Sequence, residues 1–146
     1  MTDLEQMLRS FEGTGPQHDG AFFPYQDGEG VCTIGYGHNL EAKGLPADIV
    51  NMLFKADIAD ALDAVRHNFS CYDQLSRPRQ LVLCSMGFQF GKAGLAKWPN
   101  FIAAVHLGKY DEAADHLLDS KVAREQAPLR FKKLANMMRH DVSEWI

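Results

Sequence analysis

Apolar residues recur at helical spacing over most of the chain and give way to a strand-like pattern in one short region. Leu4, Met7, Leu8 and Phe11 lie three or four apart, so their side chains share one helix face. Thr2 followed by Glu5 supplies a capping box and Gly13 a stop, which predicts a first helix carrying Glu12 in its last turn. From Pro46, a residue suited to the first helical turn, Ile49, Val50, Leu53, Ile58, Leu62, Val65 and Phe69 keep an approximate stripe to about Asn68. A helix of roughly twenty residues spans about 30 Å, enough to tie two lobes together, and its apolar stripe is expected in the core. Ser76 and Pro78 open another helix, apolar on all sides from Leu81 to Phe90 except at Gln89 and expected to end at Gly91; such a helix belongs at the centre of a fold. Pro99 starts a short helix ending at Gly108. Asp111-Glu112 begins another, with its acids near the positive end of the dipole, and Pro128 precedes a last helix with Arg130, Lys132 and Lys133 outside Leu134, Met137 and Met138.

The pattern changes between the first two long helices. Residues 13–24, rich in Gly and Pro, read as loop, and His18-Asp19 within it is too few ligands to make a metal site. Residues 22–38 read as a small antiparallel sheet, in which an Asp27–Gly30 turn runs into a Val31–His38 strand. Asp27, Val31 and Thr33 share parity, and alternate side chains of a strand point to one face. Thr33 should therefore project on the Val31 side, with Asp27 brought near it by the turn. Gly35 and Gly37 permit close approach by a ligand or a neighbouring helix, but they are no nucleotide fingerprint: no helix opens after them and the third glycine is absent. One cleft can thus gather a helix-end carboxyl (Glu12), a turn carboxylate (Asp27) and a strand hydroxyl (Thr33), the equipment of a two-carboxylate hydrolase. The negative end of the helix dipole disfavours a charged carboxylate at Glu12, which suits a general acid. The plainer reading of Glu12 is an exposed glutamate at a helix end.

Composition narrows the classes. A length of 146 residues suits one domain, which can divide into two lobes sharing a helix; 46% hydrophobic and 23% charged residues allow a packed core and exclude a disordered chain. The net charge of −4 is uneven, because residues 1–64 hold eleven acids and three bases whereas residues 65–146 hold eight acids and twelve bases. This describes either two solvated surfaces of opposite sign or an acidic catalytic lobe facing a basic one across a groove. Cys32, Cys71 and Cys84 are odd in number and without metal-type spacing, which points to folding in a reducing compartment without a disulfide framework. The acidic start of the chain is unlike a signal peptide, and the longest strongly apolar stretch is about half a membrane span. Nothing calls for nucleic acid, a metal or a cofactor, and a monomer is expected.

Glu12-Gly13 after a short helix, then Tyr25-x-Asp27-x-x-Gly30-x-x-Thr33-Ile34-Gly35-Tyr36-Gly37-His38, resembles the phage-type lysozymes, the endolysins of glycoside hydrolase family 24. The likeness continues through Leu53–Ile58 (lobe-connecting helix), Phe88-Gln89-Phe90-Gly91 (end of a central helix), Tyr110–Ala114 and Ser120–Arg130, so order is kept over nearly the whole chain. The resemblance implies a mainly α (α+β), two-lobed lysozyme fold with a small three-stranded antiparallel sheet. The small lobe would cover about residues 13–50, the connecting helix about 46–68, and the helical large lobe about 69–146 plus helix 2–12. It implies a muramidase cutting the β-1,4 bond between N-acetylmuramic acid and N-acetylglucosamine in peptidoglycan, without a cofactor.

By resemblance, Glu12 matches the catalytic acid, Asp27 the catalytic aspartate and Thr33 the threonine that helps hold the attacking water. Glu29, His38, Phe88 and Gln89 match positions that touch sugar or shape the cleft, though the family pairs the histidine matching His38 with an aspartate on the connecting helix, here Asp57. Arg130 matches a basic residue that approaches the acid. The family is described as inverting, which implies carboxyl groups about 6.5–9.5 Å apart against about 5–5.5 Å for a retaining enzyme. As a phage endolysin, the protein would wait in the host cytoplasm for a holin pore and act on peptidoglycan in the periplasm, without inserting stably into the membrane. Two departures stand out: fourteen residues separate Glu12 from Asp27 where the family usually has eight, and the chain is acidic where many relatives are strongly basic. A lytic transglycosylase, an inactive glycan-binding or tail module and a toxin delivered between bacteria are the rival readings.

Overall fold

The computed structural model describes residues 1–144. Helices dominate, eight of them among the described residues, and a three-stranded antiparallel sheet accompanies them, so the fold is mainly α as expected. The chain divides into two units, Met1–Met52 and the rest from Leu53, with the boundary inside a long helix.

The first unit begins with α1 (Asp3–Glu12). Its expected capping box is present: the Thr2 hydroxyl accepts from the Glu5 N–H at 3.2 Å, and Glu5 Oε2 accepts from the Thr2 N–H at 2.6 Å. The bonds from the Thr2 backbone and then its side chain hold the Glu5 carboxyl below its ordinary range. No side chain of α1 is buried, although its apolar stripe is strongly one-sided. Residues expected as plain loop instead contain a hairpin, β1 (Gln17–His18) against β2 (Ala21–Phe22). Asp19 (φ 48°) and Gly20 (φ 79°) form its two-residue turn, and Asp-Gly is the pair that tolerates positive φ at both turn positions. The main sheet has the order β3 (Tyr25–Gln26), β4 (Cys32–Ile34), β5 (His38–Asn39), with Thr33 opposite Tyr25 on one side and Asn39 on the other. The single strand expected over Val31–His38 is split into β4 and β5, because Gly35 and Gly37 take positive φ and reverse the chain. A short helix, α2 (Leu40–Lys43), follows; the Asn39 side chain caps it, and Glu41 Oε1 accepts the Cys32 N–H at 2.9 Å.

Helix α3 (Ala47–Asn68) runs out of the first unit into the second. Its stripe is core only in its second half, where Ala61, Ala64 and Val65 are buried and lead to buried Phe69. Ile49, Val50, Leu53 and Ile58, also expected inside, are exposed. The second unit continues with a 3-10 turn at Tyr72–Gln74, then α4 (Arg77–Leu95), α5 (Pro99–His106), α6 (Tyr110–Leu118), α7 (Lys121–Glu125) and α8 (Pro128–His140). The helix opened at Arg77 breaks at Gly91 as expected, since that residue leaves helical geometry (φ 64°, ψ −177°); a separate short helical turn follows to Leu95. Val82, Leu83 and Met86 of α4 are fully buried, in line with its all-round apolar character. Around them lie Phe69, Phe101 and Phe131, with Trp98 stacked on Phe131 at a centroid distance of 6.2 Å.

One polar pair inside this unit makes stability depend on alkaline pH. Tyr72 is buried and its phenol lies 3.3 Å from Cys84 Sγ; burial, with that hydrogen bond second, pushes its pKa up to about 12. An unfolded tyrosine ionises near 10, so the stability owed to the neutral phenol is complete below that pH and is lost as pH rises through about 12. Tyr72→Phe should flatten this part of the stability curve, read as urea midpoints across the same window. An unaltered slope would remove Tyr72 as its source.

Candidate active site

Glu12 is the last residue of α1, and the following Gly13 leaves the helix with φ 71° while its N–H donates to the Arg9 carbonyl at 3.2 Å. The carboxyl of Glu12 rests on the turn between β4 and β5. Gly37 of that turn has φ +80°, and a Cβ added there would stand 3.1 Å from Glu12 Oε2. A side chain at this position would be strained and would crowd the carboxyl, so the glycine makes the seat for the acid.

Asp27 organises the turn that precedes β4. Its Oδ1 accepts the N–H groups of Glu29 and Val31, each at 2.9 Å, while its own N–H donates to the Val31 carbonyl at 3.0 Å. Aspartate suits such a turn because its short side chain reaches backbone two residues on. Both bonds fall on Oδ1 and neither uses Oδ2. Thr33 is buried, at 3% exposure. Its hydroxyl donates to the Val31 carbonyl at 3.0 Å, so the turn and the strand hydroxyl are tied through the same residue. Glu29 is exposed and enters the turn only through its backbone bond to Asp27. His38 is engaged locally: its Nε2 lies 2.6 Å from the Gly44 carbonyl, and because a carbonyl only accepts, that nitrogen carries the proton. This bond braces the corner from β5 through α2.

The remaining expected residues lie in the second unit. Asp57 shares a hollow of about 390 Å³ with Asp60, Asp63, Phe88 and Lys92. Phe88 is 46% exposed and meets Phe54 edge-on at 5.8 Å. Gln89 buries its Oε1 with no hydrogen-bond partner among the described residues, an arrangement that costs about 1–3 kcal/mol. Arg130 donates to the Ser85 carbonyl at 3.1 Å and to its hydroxyl at 2.9 Å, which anchors α8 to α4. Glu12, Asp27, Thr33, Glu29 and His38 thus belong to one unit, and Asp57, Phe88, Gln89 and Arg130 to the other.

Two residues next to Glu12 escaped the sequence reading. Arg9, one helical turn before Glu12, donates through a guanidinium N–H to the Tyr36 hydroxyl at 2.7 Å, and its guanidinium carbon lies 4.3 Å from the Tyr36 ring centroid. The only hint in the sequence was Tyr36 standing between Gly35 and Gly37.

A family model described as phage lysozyme matches residues 10–138. The chain belongs to the phage lysozyme family. It is therefore a peptidoglycan-hydrolysing lysozyme of the endolysin type, a glycoside hydrolase, and the matched span takes in Glu12, Asp27 and Thr33. Among the described residues no group of three or more His, Cys, Asp or Glu side chains gathers around a point that could hold a metal ion. No described helix of the lysozyme is long and apolar enough to cross a membrane.

Proposed function

We propose that this lysozyme hydrolyses the β-1,4 bond between N-acetylmuramic acid and N-acetylglucosamine with inversion at the anomeric carbon. Glu12 gives its proton to the glycosidic oxygen as the bond to the anomeric carbon breaks. Asp27 takes a proton from the water that attacks that carbon from the opposite face, and Thr33 holds this water. The observation that carries the reading is the family match over residues 10–138, together with the presence of all three side-chain types inside the first unit. The Asp27 geometry supports it further, since backbone bonds on Oδ1 hold the carboxylate still without occupying its other oxygen. In the same reading Glu29, His38, Phe88 and Gln89 contact sugar or shape the cleft, with Asp57 and Arg130 in support. The biological setting is host lysis: a monomer held in the cytoplasm until a holin pore gives it access to peptidoglycan in the periplasm.

The products test the reaction. Digested peptidoglycan should yield muropeptides with free reducing ends by mass spectrometry, and proton NMR of the first products should show the α-anomer. Anhydro sugars would make the enzyme a lytic transglycosylase, and a β-anomer would make it retaining. Wall binding by folded protein without product would leave a glycan-binding module.

A further inference from the structure

The turn that seats Glu12 grips α1 at two points, not one. Arg9 and Glu12 are three residues apart and so neighbours on the helix surface, about 4.5 Å apart along the axis. Consecutive residues of the turn meet them: Tyr36 takes Arg9 by a hydrogen bond of 2.7 Å and by its ring face, and Gly37 lies against the Glu12 carboxyl. Gly35 (φ 62°) and Gly37 (φ 80°) flank Tyr36, so the chain reverses there and presents the ring at the tip. The same turn follows directly on β4, the strand that carries Thr33. Within the first unit α1 buries no side chain, so the contacts to the turn are what hold its last turn against the sheet. The hairpin of residues 17–22, within the long Glu12–Asp27 interval, adds a third contact, with the Phe22 ring 5.8 Å from the Tyr36 ring and inclined at 59°.

We infer that Arg9 and Tyr36 are positioning residues for the acid. They lock the end of α1 to the β4–β5 turn, and the 17–22 hairpin buttresses the lock through Phe22. The inference rests on the proposed role of Glu12. Holding Arg9 on Tyr36 also keeps the nearest cation of the helix engaged away from the carboxyl; Glu12 makes no ion pair within the first unit. A misplacement of about 1 Å in a reacting group costs up to about 10²-fold in rate, so a loosened helix end should act on turnover and leave binding nearly alone.

The test is a double-mutant cycle on kcat and KM with soluble, uncross-linked glycan strands, using the full chain. Tyr36→Leu and Arg9→Gln should each lower kcat about tenfold with KM within about twofold, and the double variant should be little worse than either single one. Tyr36→Phe, which keeps the ring beneath the guanidinium, should recover most of the loss, and Phe22→Ala should show a smaller fall of the same kind. A raised KM with unchanged kcat in Tyr36→Leu would make the ring a sugar contact and overturn the inference, as would additive losses in the cycle. Wild type that turns over beside unaltered single variants sinks this inference alone. Folded wild type that releases no sugar sinks it together with the muramidase reading.

Discussion

Glu12→Gln is expected to reduce lysis of outer-membrane-permeabilised Gram-negative cells by about 10²–10⁴-fold, the range that a positioned general acid contributes. Glutamine keeps the shape of the side chain against Gly37 but has no proton to give a leaving oxygen. The loss should come without unfolding, because residue 12 is exposed and substitutions at such sites usually change stability by less than about 0.5 kcal/mol. Asp27→Asn is the matching control at the second carboxyl. An asparagine carbonyl can still accept from the Glu29 and Val31 N–H groups, so the turn should survive while the negative charge is lost. Its activity should fall comparably, again with an unaltered melting curve. Full clearing by Glu12→Gln would place the acid elsewhere. Retained activity in Asp27→Asn beside an inactive Glu12→Gln would favour an enzyme that needs mainly the glutamate.

The helical framework was readable because this chain punctuates itself. Thr2, Pro99 and Pro128 mark starts and Gly13 and Gly108 mark stops, at positions where capping and the missing proline N–H restrict the backbone. The failures are as physical. Asp19-Gly20 is a strong hairpin turn, but with only two residues in each flanking strand there is no alternation to read. Gly91 does break its helix with a positive φ, but the short helical turn beyond it, which buries Leu95, is too brief to leave a periodic signal. In α3 one continuous apolar stripe covers both a buried and an exposed half, since periodicity reports a face and not what lies against it. The candidate site divides in the same way. Glu12, Asp27 and Thr33 could be picked out by spacing and residue type. Arg9 with Tyr36 could not, because that contact joins residues 27 positions apart and depends on where the turn carries a ring.

Gly87→Ala should be the most damaging single-methyl change among the glycines of the helical unit. A Cβ at residue 87 would lie 2.6 Å from the Ala61 carbonyl oxygen and 2.8 Å from Val65 Cγ2. The first of these is backbone, so no rotamer change relieves it; α3 and α4 have to move apart. Both neighbours sit in the buried half of α3, and Val65 and Met86 are fully buried, so the movement would loosen contacts throughout that layer. Two effects oppose each other. Alanine in mid-helix gains about 0.8–1 kcal/mol over glycine, whereas overpacking a close-packed core costs about 1–3 kcal/mol and occasionally more. Because a backbone oxygen receives the clash, the steric term should win by about 1–2 kcal/mol, lowering the melting temperature by roughly 3–8 °C for a chain of this length. Calorimetry of the two proteins decides it. A higher melting temperature in Gly87→Ala would mean that helix propensity prevails and that α3 and α4 do not approach so closely. If the clash holds, glycine is retained at 87 because it lets the backbone of α3 rest directly on α4.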